Sequence, residues 1–279
     1  MQKRNIVVDR HTMVVAIITC SKNKDKMAAI RATWIKDLIA CEIPYYFIVG
    51  DPSLNECKIE KDILYVPCAD VYEGLLSKVC YAYKYIIDHT SYDHVYKVDD
   101  DCFVNAALLY ATNFWKFNYF GRLVCTDESQ LRRDWHFGKC SNTAFNQRPY
   151  SGKYYGAFCG GGYGYFLSRK AMIEVTAAAF TDEDILEDKA IGDLLRSKGI
   201  VPEKNIDYIA EDVQELNSNN TKRSVFVDFV IQRSAVIYRA VVLTEIRKNY
   251  QFLYLQDKKK LLSKITRYLA KPRSTIGRM

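Results

Sequence analysis

His94-Val95-Tyr96-Lys97-Val98-Asp99-Asp100-Asp101-Cys102-Phe103-Val104-Asn105 is the stretch on which the reading of this chain turns. A short apolar approach runs into three adjacent carboxylates, and an apolar pair follows. Neighbouring acids repel one another, so a strand gains nothing by ending on them unless a cation gathers there. Hard carboxylate oxygens suit Mg²⁺ or Mn²⁺, ions that commonly hold the phosphates of a substrate. A solvated acidic turn is the competing reading of the bare triplet. Its surroundings decide between them.

Upstream, Met13–Thr19 is a continuous apolar, β-branched run and predicts a buried first strand. Asp25 to Leu38 has helical spacing at Met27, Ile30, Trp34 and Leu38. Tyr45–Val49 reads as a second strand stopped by Gly50-Asp51-Pro52, and Ile63–Val66 as a third. Glu73 to Asp88 is a helix with Leu75, Leu76, Val79, Tyr83, Ile86 and Ile87 on one stripe. Val95–Val98 then delivers the triplet, and Ala106 to Phe117 reads as the helix after it. Alternating strands and helices predict an α/β fold with a mainly parallel central sheet flanked by helices. Ligands of such sheets bind beyond the carboxyl ends of the strands, where the triplet falls.

Downstream the pattern dissolves between Thr126 and Tyr155, a polar segment studded with Trp135, His136, Phe145, Tyr150, Tyr154 and Tyr155. A long irregular segment inside a domain is usually a functional lid or disordered, and the aromatics argue against disorder. Gly160-Gly161-Gly162, a strand at Tyr163–Leu167 and a helix from Ser168 to about Phe180 follow. Beyond the acidic run 182–188 come a helix at Ile191 to Lys198 and late strands at Val225–Ile231 and Ala235–Tyr238.

With 279 residues and 49% hydrophobic content, the chain can bury a substantial core. Its net charge of +7 is concentrated in Lys258-Lys259-Lys260, Lys264, Arg267, Lys271 and Arg273, so it describes a tail and not a groove. The core lacks an interleaved basic and aromatic patch, which counts against nucleic acid as a partner. Within the tail, Leu261, Leu262, Ile265, Tyr268 and Leu269 share one helical face. That pattern suits a peripheral helix on an anionic membrane, or one docked on the protein's own surface. Nine cysteines without a CxxC pair count against a zinc site and read as free thiols of a reducing compartment, with one or two disulfides as the alternative. The residues before Met13 are polar and the run from Met13 to Cys20 is too short to span a bilayer. A cytoplasmic protein is the expectation.

Several blocks, in order, give the chain a family resemblance. They are Arg31-Ala32-Thr33-Trp34; Asp70-Val71-Tyr72-Glu73-Gly74-Leu75-Leu76-Ser77-Lys78; Lys97 to Asn105; Phe158-Cys159-Gly160-Gly161-Gly162-Tyr163; and Glu187-Asp188 with Gly192. Over roughly residues 13 to 200 it resembles the β-1,3-galactosyltransferase, N-acetylglucosaminyltransferase and Fringe group of glycosyltransferases. The resemblance implies a single GT-A domain, nucleotide-binding and Rossmann-like, over 1–245, with the basic amphipathic tail at 246–279. It implies a UDP-sugar donor, Mn²⁺ or Mg²⁺, an acceptor oligosaccharide or glycoprotein, and inversion to a β-linkage. A UDP- or glycan-binding relative that does not turn over is the alternative, with a nucleic-acid-binding or phosphoryl-transfer protein a more distant one.

The implied roles fall residue by residue. Asp101 ligates the metal, with Asp99 binding it or the ribose, and Asp100 orients the donor site. Asp188 is the general base, in competition with Asp212 of a second Glu211-Asp212-Val213. Gly161 and Gly162 let backbone approach the donor. Arg31 and Lys78 are candidates for neutralising its phosphates, a structural ion pair being the competing role. Three departures from the group stand out. Gly74 replaces an Asn and Lys189 a Val; the group's C-terminal histidine has no counterpart, since the four histidines are 11, 89, 94 and 136, and Tyr238 stands near its place.

Overall fold

The computed structural model describes residues 12–204, apart from 105, 107, 108, 110–112 and 182, together with the backbone of 210–212 and 226–228. The strands are β1 (Met13–Ile18), β2 (Tyr45–Gly50), β3 (Lys58–Glu60), β4 (Ile63–Val66), β5 (His94–Asp99), β6 (Cys102–Val104), β7 (Tyr119–Gly121), β8 (Leu123–Val124), β9 (Phe158–Cys159), β10 (Tyr165–Ser168), β11 (Glu203–Lys204), β12 (Ala210–Asp212) and β13 (Phe226–Asp228). The helices are α1 (Lys24–Ala32), α2 (Ile35–Ala40), α3 (Leu75–His89), α4 (Arg169–Thr176) and α5 (Glu187–Ser197).

Eight strands form the main sheet in the order β11-β7-β10-β5-β1-β2-β4-β3. Its centre is parallel: β1 pairs with β2 and β5, and β2 with β4. β10 is antiparallel to both β5 and β7, and β3 is an antiparallel edge. This is the mainly parallel α/β sheet that the alternation predicts. All six residues of β1 are buried, as a strand covered on both faces requires. On α3, Leu76, Val79, Tyr83 and Ile86 form the buried stripe, and they join Val14, Ala16, Val95 and Leu167 in one core.

Four local differences have physical causes. The helix expected at 25–38 is broken into α1 and α2 because Trp34 is driven inward. Its ring is fully buried and Nε1 donates to the Cys102 carbonyl at 3.1 Å. The last helix begins earlier than its apolar spacing suggests, so Glu187 and Asp188 form the first turn of α5. The segment 126–155 packs around a small core of its own, where Leu131, Cys140 and Tyr150 meet Phe158, Ile185 and Leu186. Gly74 stands where the resembling group has Asn because a Cβ there would lie 2.4 Å from the Ala69 carbonyl oxygen.

All nine cysteines are free. No helix among the described residues is long and apolar enough to cross a membrane. The helix expected at Ala106 to Phe117 falls largely on residues outside the description, and its end is a 3-10 turn at Phe114–Lys116. The basic tail 246–279, the strand at Ala235–Tyr238 and Tyr238 itself lie outside the described residues.

Candidate active site

The site begins with a charged residue in the wrong place for a strand. Lys97 lies within β5, whose first five residues are all buried, and an ammonium there is tolerated only when carboxylates and carbonyls replace its water. Lys97 Nζ donates to Asp99 Oδ1 at 2.7 Å and to the Gly161 carbonyl at 3.2 Å, with Glu187 Oε2 at 3.2 Å. Burial alone would lower the Lys97 pKa, but Asp99 and Glu187 outweigh it and hold the ammonium well above its ordinary value. Glu187 is buried too, accepting from the Tyr165 hydroxyl, which in turn accepts from Tyr83 at 3.0 Å. Burial raises the Glu187 pKa, against the pull of Lys97.

The next residue, Asp188, is half-buried and turned to Gly161. Its Oδ2 accepts the Gly161 N–H at 2.8 Å, and Oδ1 accepts the Lys189 N–H at 2.8 Å. Burial raises its pKa; the Gly161 N–H and Lys97 oppose the shift. Gly161 has no room for a side chain, since a Cβ would meet Glu187 Oε2 at 2.9 Å, Lys97 Nζ at 3.0 Å and Asp188 Cβ at 3.2 Å. Gly162 is the opposite case: a Cβ there would meet only Asp99 Oδ2, at 3.9 Å. The glycine run thus seats Asp188 with one residue and leaves space beside Asp99 with the next.

The triplet divides its labour. Asp100 Oδ2 accepts from Thr19 Oγ1 at 2.6 Å and Asn23 Nδ2 at 2.7 Å, while Oδ1 pairs with Lys26 at 2.7 Å. The protein's own groups occupy Asp100, which ties the end of β1 to α1. Asp101 is half-buried in the turn between β5 and β6. Of the described residues, Asp99 alone brings a carboxylate oxygen, Oδ2, beside the open space at Gly162, and its chemistry suits a divalent ion completed by diphosphate and water, as Mg²⁺ is often held. Among the described residues, no group of three or more His, Cys, Asp and Glu side chains could hold a metal unaided.

Lys78 reaches the carboxyl edge of the sheet but is occupied there. It donates to Asp70 Oδ1 at 2.6 Å and to the Thr19 carbonyl at 2.7 Å. Arg31 lies at the other edge, clamped on Asp62 by Nε at 2.7 Å and Nη2 at 2.8 Å, and is not part of the group. For Arg31 and Lys78 alike, the structural ion pair is what the geometry gives. His136 is buried, its Nε2 3.0 Å from the Arg148 carbonyl, a structural position. The side chain of Asp212, the competitor of Asp188, lies outside the described residues.

Sequence reasoning gave no role to Lys97, Glu187, Tyr165 or Tyr72. The first carried a signal, being a lone cation in an apolar strand. Tyr72 has its pKa pushed up by burial and then by the charges of Asp188 and Asp99, and its ring packs on the small core of segment 126–155. Glu73 beside it accepts from the Ser141 and Asn142 N–H groups at 3.1 and 2.8 Å, fastening segment 126–155 next to the site.

Residues 25–205 match the profile of the family described as Galactosyltransferase. The mouse UDP-GalNAc:beta-1,3-N-acetylgalactosaminyltransferase 2 is 25% identical over 119 residues, covering 39% of this chain and 21% of that protein. Among solved structures, a glycosyltransferase involved in glycosylation of the major capsid of PBCV-1 aligns with a TM-score of 0.47 and 11% identity, over 85% of this chain and 99% of that one. The galactosyltransferase LgtC, solved with donor and acceptor sugar analogues, aligns with a TM-score of 0.41 and 13% identity, over 84% and 95%.

Proposed function

The chain belongs to the galactosyltransferase family, and on that premise we propose that it moves a sugar from a UDP-sugar to a hydroxyl of an acceptor glycan or glycoprotein. The reaction inverts the anomeric centre and leaves a β-linkage. Asp188 takes the acceptor proton as the acceptor oxygen bonds to the anomeric carbon, while the bond to the UDP oxygen breaks and UDP leaves with its electron pair. A carboxylate suits that task when its pKa lies above the ordinary range yet it remains ionised at neutral pH. The Gly161 and Lys189 N–H groups fix its orientation.

Asp99 and Asp101 would hold a divalent ion against the diphosphate, supplying Lewis-acid stabilisation of the leaving group. Lys97 holds Asp99 Oδ1, which leaves Oδ2 on the side of Gly162. The observation that carries the reading is the convergence of Asp99 and Asp188 on Gly161-Gly162 in a chain of this family.

UDP release should be measured with UDP-galactose, UDP-N-acetylglucosamine, UDP-xylose and UDP-N-acetylgalactosamine, with Mn²⁺ or chelator, on wild type and Asp101→Ala. Slow metal-dependent release from one donor, lost in the variant, is the expected result. UDP binding without release from any donor, even with acceptor glycans supplied, would favour the binding-only relative. No UDP binding would sink the proposal.

A further inference from the structure

A second, separate feature of α5 is unused by this chemistry. A cavity of about 310 Å³ opens between the loop 150–155, residues 178–180 after α4, and α5. Its α5 wall is Ala190, Asp193 and Leu194, spaced i, i+3, i+4. Asp188, two residues before Ala190, lies roughly 200° away around the helix, so the cavity is not the donor side of the site.

The cavity is built rather than left over. Its loop has no regular structure, yet its backbone is fastened at three points. Arg133 Nη1 donates to the Tyr150 and Gly152 carbonyls at 2.9 and 2.8 Å, and Lys189 Nζ to the Lys153 carbonyl at 2.7 Å. Lys189 is completely buried, bonds to Asp193, and faces the Tyr150 and Tyr155 rings at 5.6 Å each. The unexpected lysine after Asp188 is therefore the bracket that fixes the loop and turns the Asp193 carboxylate. Gly152 is held so closely that a Cβ would fall 2.1 Å from the Tyr150 hydroxyl oxygen.

What the walls offer selects the ligand. The Tyr155 side of the cavity is well exposed, 59% for that residue, and supplies a flat apolar face with a polar tip. Asp184 Oδ2 already accepts from Thr181 and Asp193 Oδ2 from Lys189, so the Oδ1 of each supplies an acceptor for a hydroxyl, and Lys153 a donor. Lys189 is already matched by Asp193, and Lys153 and Asp184 contribute one charge of each sign, so the lining offers a phosphate no net attraction. The volume lies at the small end of the range of about 300–1,000 Å³ typical of small-ligand sites. We infer that this cavity binds one neutral pyranose ring of the glycan substrate, stacked on Tyr155 with hydroxyls on Asp184 and Asp193. The inference rests on the transferase reading for its substrate class, though not for its geometry.

The test uses the full chain and two variants at exposed positions, Tyr155→Ala to remove the ring and Ala179→Trp to fill the cavity. Saturation-transfer NMR with methyl β-galactopyranoside and methyl β-glucopyranoside reads the cavity, and calorimetry with UDP reads the donor side in the same samples. Native thermal transitions confirm that both variants fold. The expected result is glycoside binding to wild type, weakened about tenfold or more in both variants, a difference of about 1.4 kcal/mol, with UDP affinity unchanged. Glycoside binding equal in all three proteins, or absent from wild type, overturns the inference. Glycoside binding lost in the variants from a protein that never binds UDP overturns the transferase reading and leaves the saccharide cavity standing.

Discussion

The two ends of the main sheet carry charge in different ways. At the amino end, Arg31 meets Asp62 through two hydrogen bonds, the Tyr45 hydroxyl adds a third at 3.4 Å, and the guanidinium lies 4.6 Å from the Phe47 ring centroid. One cation meets one carboxylate and the set is closed. At the carboxyl end, the single ammonium of Lys97 is set against Asp99, Glu187 and Asp188. Acids outnumber cations there, beside open space at Gly162. A closed pair ties α1 to the turn before β4; an unbalanced cluster next to a void attracts a ligand that carries the missing charge.

The sharpest way to break this contrast is Asp188→Asn. If the excess carboxylate is the base, the variant should lose about 10²–10⁴-fold in kcat/KM while binding UDP as wild type does. The pH profile sharpens it further. Asp188 acts ionised and its pKa is raised above the ordinary 3.8, so activity should fall on acidification at a higher pH than an unperturbed aspartate gives. A wild-type rate that holds level down through pH 4 would remove Asp188 from the role.

Lys97→Met tests whether the open cluster depends on its one cation. It strands Glu187 and Asp99 without their partner, and losing one member of a buried pair typically costs about 3–5 kcal/mol. Urea unfolding should show that loss, and Glu187→Gln in the same chain should restore part of it. An unchanged midpoint in the single variant would mean that the cluster is solvated and not buried.

The two glycines offer a matched pair. Gly161→Ala forces a Cβ into Glu187, Lys97 and Asp188, and overpacking of this kind costs about 1–3 kcal/mol. Gly162→Ala meets only Asp99, so stability should stay within about 0.5 kcal/mol while metal-dependent UDP binding weakens. Thermal unfolding and UDP calorimetry on both separate the seat of the base from the donor space.

Much of this was legible in the sequence, and the limits are physical. The strand pattern and the acid triplet were visible because continuous apolar runs of strand length and a break to carboxylates are local signals. Asp99 and Asp100 could not be told apart locally. Adjacent strand-end residues point to opposite sides, and only the fold reveals that Thr19, Asn23 and Lys26 wait on the side of Asp100. Lys97 was conspicuous but uninterpretable until α5 brought Glu187 to it from far along the chain. The segment 126–155 read as a lid because its core is shared with Phe158, Ile185 and Leu186, and no periodicity records such a partnership. For Arg31 the phosphate contact and the structural ion pair could not be separated, since a motif match says nothing about which end of the sheet its side chain reaches.

That last residue gives the smallest and most discriminating effect. Arg31→Ala should leave UDP affinity unchanged, because the guanidinium is committed to Asp62 at the amino end. Its side chain is 38% exposed, so solvent screens the pair and the loss of stability should be only about 1 kcal/mol. The pH dependence identifies the source. The Arg31 hydrogen bonds hold the Asp62 pKa below its ordinary 3.8, against the opposing pull of burial. A depressed carboxyl stabilises the fold above its unfolded pKa and loses that contribution as pH falls through the folded value. The gap between wild type and variant should therefore be full at neutral pH and close on acidification below the ordinary aspartate range. A gap independent of pH would assign Arg31 to packing on Phe47, and a fall in UDP affinity would return it to the donor site.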